Sequence, residues 1–338
     1  MVTLQDVARL AGVSCATASR ALAGSPLVRP ATRERVRCVA AQAGYHVNRV
    51  ARSLATRATC TLGLVVPEVI NPYYPKLIHL SVQEARRAGY SVLLTISGSH
   101  QEDEGECVRS LYERRADGII VVTGTGGLTA RPEVERLHER GVPVVLLGWV
   151  AGAERFSMVT GDDAAGARAL TRHLLAAGRR RIVLVGGTAV RGPFDRIRGF
   201  LEAIREAGLP EEGSLCPAVD GDRALADTLS GLMARAEPPD ALFAYNDTLA
   251  AGVLRELEAM GIAVPDRVAV VGFDNLDLAE VVRPRLTTVD YPIEAFAEQA
   301  VRMVLERLQD GCQPPRRVIV TPHIVVRQSC GGGRPAAR

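Results

Sequence analysis

The sequence predicts an all-helical unit at the amino terminus, followed by an α/β unit of two lobes in which helices flank parallel sheets. Two short helical patterns, separated only by Gly12-Val13-Ser14, open the chain. From Thr61 onward, short apolar runs alternate with amphipathic helical patterns. Continuous apolar runs between helices are typical of parallel strands covered on both faces. These two rhythms indicate two kinds of structural unit in one chain.

The composition is that of an ordinary globular protein. The 338 residues, 47% hydrophobic and 23% charged, suffice for two or three domains. Seven scattered cysteines without a C-x-x-C pair predict neither a disulfide framework nor a zinc site, and no motif indicates a cofactor. The start resembles no export signal, and no apolar run is long enough to cross a bilayer. We therefore expect a cytoplasmic protein without membrane contact.

Positive charge is concentrated near the amino terminus. Residues 1–60 hold nine arginines and two acids, a net charge of +7; because the whole chain carries +3, the remainder carries −4. A basic head on a mildly acidic body favours a polyanionic partner for the head. Arginine is also the predominant basic residue throughout the chain, since Lys76 is its only lysine. The residue pattern of the head must therefore decide between the two explanations.

The pattern of the head is that of a helix-turn-helix. Thr3 and Asp6 can cap the first helix, Gly12 permits a tight turn, and Ser14 can cap the second helix. A third helix is predicted at residues 30–42. The alternative is an ordinary three-helix bundle with no role in DNA binding. In a helix-turn-helix, the second helix lies in the DNA major groove with its first side chains against base edges. The residues predicted to face the small core are Leu4, Val7, Ala8, Ala11, Val13, Ala18, Ala21, Val36, Val39 and Ala40.

This stretch resembles the headpiece of the LacI/GalR family of bacterial regulators, whose pattern is approximately T-x-x-D-V-A-x-x-A-G-V-S-x-x-T-V-S-R. Ala18 departs from the usual valine. The resemblance implies that Cys15 and Ala16 open the recognition helix, that Arg20 reads a base edge, and that Thr17 and Ser19 contact phosphates. Arginine suits a bidentate contact with guanine. The predicted DNA-binding residues of the headpiece are Thr3, Ser14, Cys15, Ala16, Thr17, Ser19 and Arg20.

The segment after the headpiece resembles the hinge of the same family. There, a hinge helix pairs with its twin from a second subunit and wedges a leucine into the minor groove. Leu54 stands at the wedge position, with Asn48 and Ala51 beside it, while Val47 replaces the usual proline. An apolar wedge kinks a base step, and neighbouring arginines offset phosphate repulsion. Leu54 as an ordinary core residue is the alternative.

The body of the chain reads as alternating strands and helices, and their number suits two sheets better than one. The family has a body of two lobes that resembles periplasmic sugar-binding proteins, so the similarity extends over essentially the whole chain. We predict a headpiece at 1–45, a hinge at 46–58, and an effector-binding and dimerisation domain at 59–338. Its N-lobe would hold about 59–160 and 290–320, and its C-lobe about 161–289 and 321–330. The predicted strands are Leu62–Val66, Ser91–Ile96, Gly118–Val122, Val142–Leu147, Arg181–Val185, Ala241–Ala244 and Val268–Gly272.

Candidate ligand residues follow the predicted strands, because ligands of such folds bind beyond the carboxyl ends of strands. Amides, carboxylates and a planar arginine suit polyol hydroxyls, and aromatic faces stack on sugar rings. Helix capping or a turn is the alternative role for Asn246, Asp163 and Asp274. Where the family often has Asp, this chain has Gly148 followed by Trp149. The predicted ligand-binding residues are Asn71, Tyr73, Tyr74, Trp149, Asp162, Arg196, Asn246 and Asp274.

The sequence as a whole predicts a DNA-binding transcription regulator that acts as a repressor. We expect a homodimer on a palindromic operator in double-stranded DNA, with affinity modulated by a sugar or related metabolite. A periplasmic-type sugar-binding protein would share the body but lack the basic headpiece. A regulator that responds to a protein, or to no ligand, remains an alternative. An enzyme is not predicted, because no nucleotide-binding, nucleophile or metal motif is present.

Overall fold

The computed structural model describes residues 2–45, 58–98, 101–123, 131–186, 195–216, 221–311 and 313–331. The chain divides into two compact units, Met1–Cys60 and Thr61–Arg338. The predicted hinge residues Asn48, Ala51 and Leu54 lie outside the described residues.

The first unit is a bundle of three short helices, α1 (Leu4–Leu10), α2 (Cys15–Leu22) and α3 (Pro30–Gln42). A capping box begins α1: the Asp6 amide donates to Thr3 Oγ1 at 3.3 Å, and the Thr3 amide donates to Asp6 Oδ2 at 3.0 Å. Gly12 has φ +64° in the turn before α2. The two predicted caps and the bounds of α3 are confirmed.

Packing stabilises these helices, which are too short to be stable alone. Small alanines on α1 and α2 allow close approach, and Val36 of α3 fills the space against them. The predicted core positions are buried or, for Leu4, Val13 and Val39, partly buried against the cluster. The fully buried apolar side chains are Val7, Ala8, Ala11, Ala18, Ala21, Val28, Val36 and Ala40.

The second unit contains two parallel sheets flanked by helices, which confirms the predicted fold class. The first has strand order β11-β5-β4-β3-β1-β2, and the second has order β7-β6-β8-β9. Two further strands, β10 and β12, pair antiparallel. The strands are β1 (Thr61–Val66), β2 (Ser91–Ile96), β3 (Gly118–Val122), β4 (Val144–Leu147), β5 (Ser157–Gly161), β6 (Ile182–Val185), β7 (Leu215–Cys216), β8 (Ala241–Ala244), β9 (Ala269–Val271), β10 (Thr288–Asp290), β11 (Arg317–Val320) and β12 (His323–Val325).

The helices of this unit cover both faces of the sheets. Helix α12 packs on the larger sheet, and its apolar residues join the largest buried cluster. The helices are α4 (Tyr73–Arg87), α5 (Gln101–Glu113), α6 (Arg131–Glu139), α7 (Asp163–Ala176), α8 (Arg196–Glu206), α9 (Asp222–Met233), α10 (Asp247–Ala259), α11 (Leu278–Val281) and α12 (Ile293–Gln309). Among the residues that the structure describes, no helix is long and apolar enough to span a bilayer.

Some predicted strand limits were wrong. The strand predicted from Val142 begins at Val144, because Pro143 has no amide hydrogen for the ladder; its carbonyl accepts from the Ile119 amide at 2.9 Å. The limits of β1, β6 and β9 differ from prediction by one residue at one or both ends, the ordinary spread at element ends. Strands β5, β7, β10, β11 and β12 were not predicted, because they are short or carry polar residues.

Candidate functional site

Helix α2 presents a polar face to solvent and buries its opposite face. Ala18 and Ala21 are fully buried, whereas Cys15, Ser19 and Arg20 are exposed. Ala16 is also exposed. The helix therefore presents a guanidinium, a hydroxyl and small side chains at its surface, a set that suits contact with base edges and phosphates.

The start of α2 is fixed by its own side chains. Ser14 Oγ accepts from the Thr17 amide at 3.1 Å and lies 2.9 Å from Thr17 Oγ1. Thr3 is likewise occupied by the capping box of α1. The predicted DNA-binding residues Thr3, Ser14 and Thr17 thus fix the amino-terminal ends of α1 and α2. Their side chains are nevertheless exposed or half-exposed.

The first unit exposes several arginines. Arg29, Arg35 and Arg37 are exposed on the first unit, whereas Arg33 Nη2 donates to the carbonyls of Ser25 and Val28. Glu34 and Asp6 are the acids of residues 2–45. Such a surplus of arginine attracts phosphates.

In the second unit, the guanidinium of Arg196 joins three segments that the sequence separates widely. Its Nε donates to Asp163 Oδ2 at 2.9 Å, Nη1 to the Tyr245 carbonyl at 2.7 Å, and Nη2 to Asp274 Oδ1 at 3.0 Å. Asp195 Oδ1 caps helix α8 by accepting from the Ile197 amide at 2.8 Å. The start of α8 therefore holds a buried cation between two carboxylates.

Aromatic rings surround this guanidinium. Its central carbon lies 3.8 Å from the ring centroid of Phe273 and 5.0 Å from that of Tyr245. The Tyr291 ring lies 5.9 Å away and also contacts Tyr73, with centroids 5.8 Å apart. Cation–π contact of this kind stabilises a desolvated guanidinium. The site thus combines aromatic ring faces with a guanidinium and two carboxylates.

The backbone that carries Asp274 adopts an unusual conformation. Asp274 has φ +110° and Asn275 has φ +51°, values that cost about 1–3 kcal/mol each in non-glycine residues. Buried Asp247 holds the turn: its Oδ2 accepts from the Leu276 amide at 2.8 Å and its Oδ1 from Thr288 Oγ1 at 2.6 Å. This arrangement points the Asp274 carboxylate at Arg196.

Burial raises the carboxyl pKa values of this site. It raises the pKa of Asp274 to about 6 and, with repulsion from Asp274, that of Asp247 to about 7; the pKa of Asp163 is also raised by burial. Burial alone would lower the pKa of Arg196, but Asp274 and Asp163 raise it well above its usual value. Because folding raises these pKa values, it favours the protonated acids. Their contribution to the free energy of unfolding is therefore full below about pH 4 and is lost as pH rises through 6 to 7.

Three of the predicted ligand residues bond to backbone amides. Asn71 Oδ1 accepts from the Tyr73 amide at 3.1 Å. Asp162 Oδ1 caps α7 through the Ala165 amide at 2.9 Å, and Asn246 Oδ1 caps α10 through the Leu249 amide at 2.8 Å. The capping role considered as the alternative for Asn246 is therefore observed. Of the adjacent acids Asp162 and Asp163, the capping residue is Asp162.

The remaining aromatic candidates lie in two places. Tyr73 and Tyr74 pack edge to face, 5.2 Å apart, against the cluster that also contains Tyr291. Trp149 packs against a different cluster, with Val150 and Phe156. Gly148 precedes it with φ +113°, and a Cβ there would lie 2.0 Å from Thr123 Oγ1. A side chain at Gly148 would therefore be strained and would require the Thr123 side chain to move.

Sequence reasoning missed four contributors to the Arg196 cluster. Asp163 was considered with helix capping as its alternative role, but its neighbour Asp162 was the predicted ligand residue; Phe273 and Tyr245 are also neighbours of predicted residues. Tyr291 follows β10, which was not predicted, so no strand end marked it. Across the described part of the chain, no three His, Cys, Asp or Glu side chains are grouped to hold a metal ion.

Comparisons with known proteins agree with both units. Residues 3–48 match a family model described as bacterial regulatory proteins, lacI family, and residues 171–330 match one described as periplasmic binding protein-like domain. The HTH-type transcriptional repressor PurR of Vibrio parahaemolyticus is 32% identical over 334 residues, covering 97% of this chain and 98% of that protein. Catabolite control protein A of Priestia megaterium is 32% identical, covering 97% and 99%.

Solved structures are similar over the same length. A complex of the transcriptional regulator CelR with cellobiose has a TM-score of 0.71 and 30% identity, covering 97% of this chain and 100% of that one. The lac repressor dimer bound to operator and the anti-inducer ONPF has a TM-score of 0.86, covering 97% and 99%. At 23% identity, the latter shows the fold alone.

Proposed function

The chain belongs to the LacI family of bacterial regulatory proteins, and on that premise we propose that it represses transcription by binding a palindromic operator as a homodimer. Members of this family are DNA-binding transcription regulators, and regulation by a bound small molecule is typical of them. We assign DNA binding to residues 1–45, operator-dependent pairing to 46–58, and effector binding and dimerisation to 59–338. Because its partner is chromosomal DNA, the protein would act in the cytoplasm.

The observation that carries this proposal is the two-sided character of α2. One face is buried by alanines, and the other exposes Cys15, Ala16, Ser19 and Arg20 at the surface of a basic unit. A second helix with this polarity suits the major groove. We propose that Arg20 reads a base edge, while Thr17 and Ser19 position the helix on phosphates. Asn48, Ala51 and Leu54 would contact the minor groove.

An apolar surface at the edge of the larger sheet supports the dimer. Leu94 and Ile96 of edge strand β2 are 42% and 49% exposed, and Ile70 is 88% exposed. Ile96 pairs with Val66 at the end of β1, and Ile70 follows Val66 by four residues. Exposed apolar edges of this kind mark protein interfaces. A second copy of the chain is the occupant that a palindromic site requires.

The Arg196 cluster supports the effector site. It joins residues that follow β5, β8, β9 and β10 with Tyr73 at the start of α4, so a bound molecule would contact several segments at once. We propose Asn71, Tyr74, Trp149, Asp162 and Asn246 as further contacts. Such a molecule shifts operator affinity only through its different affinities for two states of the protein.

Operator binding by Arg20→Ala tests the DNA-reading role. We expect specific affinity to fall by about 10-fold to 100-fold at fixed salt, because one bidentate base contact contributes about 1–3 kcal/mol. Arg136→Ala, which removes an exposed arginine from the second unit, is the matched control and should bind as wild type. Fluorescence anisotropy on a duplex selected by the wild-type chain provides the measurement. Unchanged affinity and base preference in Arg20→Ala would exclude the assignment.

A further inference from the structure

A histidine and a cysteine that are 157 residues apart in the sequence meet beside a surface cavity of the second unit. His173 lies in the last turn of α7, and its Nε2 atom is 3.3 Å from Cys330 Sγ. Both side chains line a cavity of about 310 Å³, whose wall also includes Ala177, Arg179 and Pro265. Neither residue takes part in the proposed DNA-binding or effector sites. The pair therefore needs an explanation of its own.

The hydrogen bonds around the sulfur favour a negative charge on it. Thr287 Oγ1 donates to Cys330 Sγ at 3.0 Å. The same oxygen accepts from the Arg327 amide at 2.8 Å, which directs its own hydrogen towards the sulfur. The Arg327 carbonyl, another acceptor for the thiol proton, is 3.8 Å from the sulfur and therefore farther than His173 Nε2. The thiol can thus pass its proton to the imidazole, as an activated nucleophile does to an adjacent base.

The backbone next to Cys330 is anchored on both sides of the sulfur's position. The Thr287 amide, one residue before β10, donates to Ser329 Oγ at 2.8 Å. The Val270 amide of β9 donates to the Ser329 carbonyl at 2.9 Å. These bonds hold the sulfur in place beside the imidazole of His173.

His173 is well placed to hold the proton. It lies at the carboxyl end of α7, where the helix carbonyls favour a positive charge. The contact with Cys330 raises the pKa of His173, although burial opposes this rise. The charged side chains among the described residues of the cavity wall are Arg179 and Asp266, which are of opposite sign. Arg179 donates to two backbone carbonyls at 3.2 and 2.7 Å, so its charge is held within the wall.

Burial restricts which molecules can reach the sulfur. Cys330 is 1% exposed, whereas His173 is half-buried, so a reactant approaches the sulfur through the cavity that both residues line. One water molecule occupies about 30 Å³ of the liquid, and a cavity of about 310 Å³ therefore has room for a molecule that is little larger. Hydrogen peroxide is of that size, whereas a bulky disulfide needs an exposed sulfur. The site thus favours a small oxidant.

We propose that Cys330 is a modification site at which hydrogen peroxide oxidises the sulfur to a sulfenic acid, while His173 first accepts the thiol proton and then returns it. The thiolate attacks one peroxide oxygen and forms the S–O bond as the O–O bond breaks. The leaving hydroxide takes the proton from His173 and becomes water. The sulfur is oxidised and the peroxide is reduced by the same electron pair, so no further reactant is needed.

Oxidation of individual cysteines in the full chain tests the proposal. The reduced protein receives excess hydrogen peroxide at pH 6.5, catalase stops the reaction at set times, and the chain is then unfolded. One portion is alkylated with iodoacetamide to count the remaining thiols, and another is treated with dimedone to trap sulfenic acid. Tryptic peptides that contain Cys330 and Cys216 are quantified by mass spectrometry. Because trapping follows unfolding, the result does not depend on access of these reagents to the native chain.

Cys216 is the internal reference, because it is half-buried and burial raises its pKa. We expect Cys330 to be oxidised at least tenfold faster than Cys216 at pH 6.5. Between pH 6.5 and pH 8, the Cys330 rate should change less than threefold, whereas the Cys216 rate should rise about 30-fold with its thiolate fraction. A Cys330 rate that is no higher than that of Cys216, or that rises with pH as steeply, would overturn the proposal.

Paired variants test the role of the imidazole. His173→Gln retains a polar side chain that cannot take up the proton, and it should lower the Cys330 rate at pH 6.5 at least tenfold. His79→Gln removes an exposed imidazole from α4 and should leave that rate unchanged. An unchanged Cys216 rate in both variants reports a retained fold, and the wild-type pH profile decides the matter if His173→Gln does not fold. Equal Cys330 rates in the two folded variants would contradict proton transfer to His173.

Discussion

Arg196→Met is expected to lower the free energy of unfolding of the second unit by about 3–5 kcal/mol at pH 7.5, since removing one partner leaves buried charges unpaired. Methionine retains much of the side-chain volume, so the loss reports charge rather than a cavity. Asp163 and Asp274 would remain with no guanidinium to bond. Urea unfolding measures the difference, and operator binding should survive where the variant remains folded. Any response to effector should be lost.

Lowering the pH and neutralising the acids are the controls for this result. The pKa of Asp274 is already raised to about 6 by burial, and without Arg196 it should rise further. The stability deficit should therefore shrink as pH falls towards 6, because the carboxyl of the variant takes up a proton above that pH while the wild-type carboxyl is still ionised. Combining Arg196→Met with Asp163→Asn and Asp274→Asn should restore most of the loss at pH 7.5. A deficit that is independent of pH would contradict the electrostatic explanation.

Gly199→Ala is expected to lower the stability of the second unit by about 3 kcal/mol, at the upper end of the usual cost of overpacking. A Cβ on Gly199 would lie 1.9 Å from the Ala164 carbonyl oxygen, so helices α7 and α8 would have to separate. Asp163 begins α7 and Arg196 begins α8. The substitution should therefore also weaken effector binding, although it adds only a methyl group.

Gly231→Ala is the matched control for helix α9. No atom lies within 4 Å of a Cβ at Gly231. Alanine there should raise stability by about 0.5–1 kcal/mol, because glycine is a poor residue inside a helix. Chemical unfolding of both variants under one set of conditions makes the comparison. Equal effects of the two substitutions would exclude close helix contact as the cause.

The headpiece was predictable from sequence because its determinants are local. Thr3, Ser14 and Gly12 fix helix ends and a turn within a few residues, and the structure places all three as predicted. Buried strands β1, β3 and β4 were predictable because parallel strands covered on both faces are continuously apolar. Strand β2 was found despite its edge position, since its residues are still largely apolar.

The effector site was only partly predictable, because its contacts join distant segments. Arg196 and Asp274 were predicted as ligand-binding residues, but their mutual bond depends on how α8 and the turn after β9 meet. Strand β10 was not predicted and begins with the polar residue Thr288, whose hydroxyl is buried and donates to Asp247. Tyr291 was missed for that reason. Sequence periodicity reports burial of apolar residues and does not reveal polar groups that become buried by bonding to one another.

Selection of bound duplexes from a random DNA pool is the most direct test of the central claim, which is sequence-specific operator binding by a dimer. The full chain is used at one stated salt concentration, because phosphate contacts make affinity strongly salt-dependent. The selection is run with and without an extract of bacterial small molecules, and Arg20→Ala is selected in parallel. We predict two inverted half-sites for the wild type and relaxed preference within each half-site for the variant. Recovery of no common sequence by the wild type under either condition would contradict the claim.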